Sequence, residues 1–153
     1  MINEFMLKAI ELAKDSGADV PVGCVIVRNN EIIALGKNER EKNNKISAHA
    51  EIIAIEKAEQ KLETWKLDGC EMYVTLEPCP MCAGAIVQAR IKTLFFGAYD
   101  MNYGAFGSKV DMVQVMNAKT PKVFGGIMEK ECRELITNFF NLVRENDRTE
   151  NPS

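Results

Sequence analysis

The sequence has no long hydrophobic run. A membrane-spanning helix needs about 20 consecutive apolar residues, and no segment of this 153-residue chain approaches that length. The first residues also lack a basic leader followed by an apolar stretch, so we predict no secretory signal. These absences favour a cytoplasmic protein without a membrane segment.

The sequence also lacks an excess of positive charge. Its net charge is -3 at pH 7 and its pI is near 5.3, which disfavours a protein that coats nucleic acid through bulk electrostatics. A local basic cluster precedes the one histidine of the chain, although glutamates dilute it; it comprises Lys37, Arg40, Lys42 and Lys45. This cluster could contact phosphates or simply form a solvated loop, and the sequence leaves both open.

An even set of cysteines is missing as well. The chain has five, two of them in a C-x-x-C pattern, which fits reduced thiols and metal ligation better than a disulfide framework. Length and an apolar fraction of 46% are typical of one globular domain. We predict that domain over residues 1–146, with a disordered tail over residues 147–153.

Hydrophobic periodicity predicts strands that alternate with helices after an initial hairpin. Asn29 and Asn30 are the predicted hairpin turn. The predicted strands cover residues 22–27, 31–35, 71–76, 93–98 and 123–125. The predicted helices cover residues 2–16, 48–60 and 80–89, with a closing helix whose apolar face runs from 132 to 143. This order predicts an α/β fold, a three-layer α/β/α sandwich around a mixed five-stranded sheet.

Two cysteines and the histidine form a candidate metal site. Cys79 and Cys82 are three positions apart, so one turn of helix can bring both thiols to one ion, and His49 is the available third ligand. Glu51 follows two residues after the histidine. The combined pattern of H-x-E and P-C-x-x-C is the signature of zinc-dependent nucleobase deaminases.

The predicted helix positions suit this chemistry. Ser47 is a plausible N-cap for a helix that carries His49 and Glu51 in its first turn, and Pro80 fits the first position of the helix that follows Cys79. Three protein ligands leave one tetrahedral position for water, whose pKa zinc can lower to about 7. Glu51 is then placed to accept the proton of that water.

Other interpretations of the cysteines remain. Cys70, before the predicted third strand, could supply a fourth ligand and make the zinc site structural. The cysteines could also be small buried residues with no metal, and packing is the better account of Cys24 and Cys132, which lie in apolar patterns.

Substrate contacts are suggested less strongly. The amide of Asn38 could bind a purine edge, although most loop asparagines only satisfy turns. Residues 100–108 form a Gly-rich connection of the kind that borders a pocket, and its Tyr103 and Phe106 are candidates for stacking on bases. Phe139 and Phe140 lie at helical spacing and are better explained as core.

Several segments resemble one family. They include His49-Ala50-Glu51 and the cysteine block with its preceding strand, Tyr73 to Ile86, and further Val20 to Gly23, Gly36 to Asn38, Gly97 to Asp100 and Gly104 to Ser108. Over nearly its whole length the chain resembles the bacterial tRNA-specific adenosine deaminases of the cytidine deaminase-like superfamily. The resemblance implies a zinc-dependent homodimer that hydrolyses the wobble adenosine of a tRNA anticodon to inosine. The expected partner is the anticodon stem-loop of an arginine-type tRNA.

The resemblance also assigns roles to residues. His49, Cys79 and Cys82 resemble the ligands of one zinc ion per chain, whose fourth ligand is water or hydroxide, and Glu51 resembles the proton shuttle. Asn38 resembles the asparagine that contacts the base, and Asp100 resembles the loop residue that contacts the anticodon backbone.

Two other functions remain as alternatives. One is deamination of a free base or nucleoside, guanine above all, with the same zinc apparatus. The other is a non-catalytic RNA-binding module in which zinc only stabilises the fold; it predicts no role for Glu51.

Overall fold

A five-stranded mixed sheet forms the centre of the computed structural model, which describes residues 2–150. The strands are β1 (Gly23–Arg28), β2 (Glu31–Lys37), β3 (Cys70–Leu76), β4 (Thr93–Ala98) and β5 (Lys122–Phe124). Their order across the sheet is β2-β1-β3-β4-β5. β1 is antiparallel to both neighbours, whereas β3, β4 and β5 are parallel to one another. The predicted mixed sheet of five strands is therefore confirmed.

Helices cover both faces of this sheet. They are α1 (Glu4–Lys14), α2 (Arg40–Asn43), α3 (Ala50–Leu62), α4 (Pro80–Gln88), α5 (Met112–Val115) and α6 (Glu129–Glu150). Successive side chains of β1 point to opposite faces, so that Val25 and Val27 pack with α1 while Ile26 packs with α3. α1 and α6 share one face, and α3 and α4 share the other. The predicted three-layer α/β/α sandwich is thus confirmed. Within residues 2–150, no helix has both the length and the apolar character needed to cross a bilayer.

The hairpin between β1 and β2 has the predicted tight turn. Asn29 and Asn30 have φ angles of 51° and 64°. A two-residue turn with both central residues in the left-handed region matches the twist of the two strands, and asparagine tolerates that region better than most residues do.

The segment before His49 differs from the prediction. The basic segment of residues 37–45 is not simply a loop, and the predicted cap at Ser47 of a helix beginning at residue 48 is wrong in detail. β2 continues to Lys37, α2 follows at Arg40–Asn43, and α3 begins only at Ala50 with His49 at its N-cap. The buried Asp19 explains α2, because its carboxylate accepts hydrogen bonds from the N–H groups of Glu41 and Lys42 at 2.7 and 3.2 Å.

Other differences concern element ends. α5 was not predicted; its N-cap Asp111 accepts a hydrogen bond from the Val113 N–H. α6 continues through Glu150, so residues 147–150 of the expected disordered tail are helical, since no glycine or proline interrupts this polar stretch. Residues 151–153 of that tail lie outside the described residues. Phe140, expected in the core, is 43% exposed on α6, whereas Phe139 is half-buried.

Gly36 permits close contact between the sheet and the helix that carries Glu51. A Cβ atom at this position would overlap the carbonyl oxygen of Ala50 in α3. Because this carbonyl belongs to packed helix backbone that cannot move aside easily, Gly36→Ala should destabilise the fold by about 1–3 kcal/mol. Urea unfolding followed by circular dichroism measures the change.

Gly84→Ala is the matched control, because a Cβ atom there would meet only the Gln88 side chain at 4.0 Å. Alanine is the better helix former, so this control should be neutral or stabilise by about 0.5–1 kcal/mol. Equal losses of stability in the two variants would contradict the close-packing argument.

Candidate metal centre

Two helix N-termini bring the predicted ligands together. α3 and α4 lie on the same face of the sheet and contact each other. His49 is the N-cap of α3 and Glu51 lies in its first turn, while Cys79 is the N-cap of α4 and Cys82 lies in its first turn. Pro80 occupies the first helical position as predicted, where its missing N–H and fixed φ favour helix initiation. The N–H groups at both helix starts favour thiolates and other anions.

The three candidate ligand atoms have a spacing that suits a metal ion. His49 Nδ1 lies 3.7 Å from Cys79 Sγ and 3.5 Å from Cys82 Sγ. In a tetrahedral zinc site, Zn–S and Zn–N bonds of about 2.3 and 2.0 Å separate such ligand atoms by roughly 3.6 Å. Among residues 2–150, this is the one group of three His, Cys, Asp or Glu side chains whose ligand atoms all lie within 4.8 Å of one another. Two thiols and an imidazole therefore fit zinc without rearrangement.

Cys70 does not belong to this group. It is the first residue of β3, one position earlier than predicted, and it lies opposite Arg28. The whole strand, about 20 Å long at the usual rise per residue, separates it from the segment that leads to Cys79. A closed site with Cys70 as fourth ligand is therefore ruled out. Cys24 and Cys132 are buried in the two apolar clusters, as packing predicted.

The two cysteine thiols of the candidate site differ in acidity. The hydrogen bond from Cys82, followed by that from His49, lowers the pKa of Cys79 to about 4, while the same contact with Cys79 raises the pKa of Cys82 well above its usual range. The hydrogen bond to Cys79 also raises the pKa of His49. At neutral pH a cation would therefore find the sulfur of Cys79 already ionised, as metal ligation by a thiol requires.

Glu51 lies beside these ligands without being one of them. It is 4% exposed and is not part of the three-residue group. Burial raises the pKa of its carboxyl to about 7, which is the range in which a group both accepts and releases protons at neutral pH. The structure places Glu51 next to the candidate ligand group but outside it, and its acid-base role stays a prediction.

Asn38 follows β2 and makes the turn contacts that loop asparagines usually make. Its Nδ2 donates to the Val20 carbonyl at 3.1 Å, and its Oδ1 accepts from the Arg40 N–H at 3.2 Å. Each of these atoms keeps capacity for one further hydrogen bond. The next residue, Glu39, donates its N–H to Ala48 beside His49, so the turn and the metal ligand are linked through backbone.

Asp100 begins the loop that follows β4. Its Oδ1 accepts hydrogen bonds from the N–H groups of Asn102 and Tyr103 at 3.0 and 3.1 Å. Tyr103 is 68% exposed, as its predicted stacking role requires, whereas Phe106 is half-buried against the core. Glu77, a buried carboxylate inside the resemblance motif, binds this loop through four donors of Asp100, Phe106 and Ser108. Three of these donors are backbone N–H groups, which leave no signal in the sequence.

Comparison with known proteins identifies the family of the chain and indicates the metal that the site would bind. A family model described as the cytidine and deoxycytidylate deaminase zinc-binding region matches residues 1–98, which include all three candidate ligands and Glu51. The chain belongs to this deaminase family. Zinc is accordingly the metal that the donor set and the family both indicate.

Curated relatives of the deaminase match over most of their length. It is 41% identical over 144 residues to a tRNA-specific adenosine deaminase of Bacillus subtilis, covering 92% of this chain and 89% of the relative. It is 40% identical over 146 residues to a tRNA-specific adenosine deaminase of Agrobacterium fabrum, covering 94% and 96%.

Solved structures share the fold. One, from a study of A-to-I editing by tRNA:A34 deaminases at the wobble position of transfer RNA, matches the deaminase with a TM-score of 0.83 and 39% identity over 86% of this chain and 98% of that one. A guanine deaminase from Bacillus subtilis matches with a TM-score of 0.61 and 35% identity over 72% and 83%.

Proposed function

We propose that this deaminase hydrolyses the wobble adenosine of a tRNA anticodon to inosine. The observation that carries the proposal is the similarity to tRNA-specific adenosine deaminases along about nine tenths of both chains, around a complete set of ligands and acid-base group. A family domain alone would be compatible with several nucleobases.

The chemistry divides among four side chains. His49, Cys79 and Cys82 would hold the zinc ion, which when bound would supply a Lewis acid that lets water react at neutral pH. Glu51 accepts one proton of the attacking water and delivers it to the ring nitrogen N1 of adenine. It then takes the second proton from the hydroxyl that now stands on C6 and delivers it to the amino group. The C6–N bond breaks, ammonia leaves, and the oxygen stays on C6 as the carbonyl of inosine. The burial of Glu51 keeps bulk water from competing for these protons.

Substrate recognition requires an adenine that is out of its stack, because C6 is inaccessible in a stacked base. Asn38 would bind a base edge with the amide capacity that its turn contacts leave over. Asp100 would contact the backbone of the anticodon, since its carboxylate is held by the two loop N–H groups and can accept from a ribose hydroxyl. Exposed Arg40, Lys42 and Lys45 would bind phosphates near the same turn.

The resemblance also underlies the proposal of a homodimer that edits an arginine-type tRNA. Analytical ultracentrifugation of the zinc-loaded protein tests the dimer. A cytoplasmic location follows from the same proposal, because tRNA and reduced thiols are both available there.

Guanine deamination is the second candidate, because a guanine deaminase shares the fold at 35% identity. We expect the zinc-loaded protein to convert the wobble adenosine of an arginine-type anticodon stem-loop to inosine and to leave free guanine unchanged. Nucleoside analysis of the digested stem-loop measures the first reaction, and chromatographic detection of xanthine measures the second. Turnover of guanine without any inosine would overturn the tRNA proposal.

A further inference from the structure

Glu77 is a buried carboxylate that the deamination chemistry does not use. It lies two residues before Cys79 and is 2% exposed. Its backbone N–H donates to the carbonyl of Ala98 at the end of β4, at 2.8 Å. The side chain thus begins at the point where the two central parallel strands end, next to the metal-binding helix.

Four donors occupy this carboxylate. Oε1 accepts from the Asp100 N–H at 3.1 Å and from the Ser108 hydroxyl, and Oε2 accepts from the N–H groups of Phe106 and Ser108 at 3.0 and 3.1 Å. An ionised carboxylate has about four lone-pair sites, so no acceptor capacity remains for a metal ion or substrate. The role of Glu77 must therefore be exerted through the residues that it binds.

Those residues are the two ends of one loop, Asp100 to Ser108. A backbone hydrogen bond also joins the loop to the segment that carries Cys79. The Ala105 N–H donates to the carbonyl of Pro78, the residue before Cys79, at 2.8 Å. Gly104 passes so close that a Cβ atom there would overlap the Glu77 carboxyl group. The loop is fitted around this one side chain.

The same loop presents the groups that the proposed function assigns to RNA. The Asp100 N–H donates to Glu77, and the Asp100 carboxylate accepts hydrogen bonds from the N–H groups of Asn102 and Tyr103. The side chain of Tyr103 remains exposed. Charge-assisted hydrogen bonds are roughly twice as strong as neutral ones, and a loop that is ordered before binding loses less entropy when its ligand arrives.

We propose that Glu77 is a positioning residue that fixes the loop of residues 100–108 relative to the metal centre and thereby sets the affinity of the deaminase for RNA. The inference rests on the proposed function. It predicts an effect on KM for RNA that is separate from the proton transfers of Glu51.

The test replaces Glu77 by glutamine in the zinc-loaded full chain. Glutamine keeps the shape, but its NH2 group cannot accept and would face two of the four donors. KM for the anticodon stem-loop should rise at least tenfold, while kcat changes less than about threefold and zinc content stays that of the wild type. Amide hydrogen exchange, measured without RNA, should accelerate at least tenfold at Asp100, Phe106 and Ser108.

Two further variants complete the experiment. Ser108→Ala removes one donor and keeps the carboxylate with its three amides, so the rise in KM should be smaller and in the same direction. Glu56→Gln changes an exposed glutamate on α3 and should leave KM and exchange unchanged.

Three results would overturn the inference: unchanged KM in Glu77→Gln, a loss confined to kcat, or loss of zinc together with general unfolding in both Glu77→Gln and Ser108→Ala. A wild type that leaves the stem-loop unedited would overturn the proposed function and the RNA part of the inference. Exchange without RNA would still decide whether Glu77 holds the loop, because that measurement needs no substrate.

Discussion

Glu51→Gln should abolish inosine formation and leave zinc bound. This is the expected result because glutamine fills the same buried space but cannot take up and release a proton in the neutral range. General acid-base groups contribute about 10²- to 10⁴-fold to rates, and one residue here serves several transfers, so we expect a loss of at least about 10³-fold in kcat. The measurement pairs single-turnover conversion of the stem-loop with the zinc content of each preparation.

The zinc content of Glu51→Gln distinguishes the loss of an acid-base group from the loss of the metal. The candidate ligand group consists of His49, Cys79 and Cys82, and Glu51 is not part of it, so zinc content should equal that of the wild type and of the exposed Glu56→Gln control. If Glu51→Gln edits RNA as fast as the wild type, the carboxylate is not the proton shuttle. If wild type and variant both bind the stem-loop and neither edits it, the module in which zinc only stabilises the fold becomes the better account.

The metal site could be predicted from the sequence because its chemistry is local. A C-x-x-C at a helix start leaves two thiols within one turn, and H-x-E separates a ligand from its acid-base neighbour by one residue. The structure brings His49, Cys79 and Cys82 together at the starts of α3 and α4 and places Glu51 in the first turn of α3. The spacing could not exclude Cys70 as a ligand, and that required knowing that Cys70 is at the far end of β3.

Hydrogen bonds between distant segments could not be predicted from the sequence. The buried Asp19 holds α2 through the N–H groups of Glu41 and Lys42, and neither partner could be predicted from the sequence. The carboxylate of Glu77 likewise accepts hydrogen bonds from backbone N–H groups in the loop of residues 100–108. Every residue except proline has an N–H, so such partners leave no pattern in the amino-acid sequence.

Loss of one sulfur ligand should remove both metal and activity. In Cys82→Ala only His49 and Cys79 remain of the three ligands, and two ligands cannot hold zinc in competition with a chelator at ordinary concentrations. We expect less than about a tenth of the wild-type zinc content and no detectable inosine. Cys82 is fully buried, so circular dichroism must first confirm that the variant remains folded.

Thermal unfolding separates the loss of zinc from the loss of packing. Zinc at 100 times its dissociation constant stabilises a folded protein by about 2.7 kcal/mol, so the wild type should melt at a higher temperature with zinc than with a chelator, and Cys82→Ala should not respond. Cys70→Ala is the matched control, because Cys70 is equally buried and lies outside the ligand group. It should melt earlier than the wild type under both conditions while keeping the full response to zinc. A Cys70→Ala variant that lost this response would mean that the metal is bound elsewhere, and the roles assigned to His49, Cys79 and Cys82 would then be wrong.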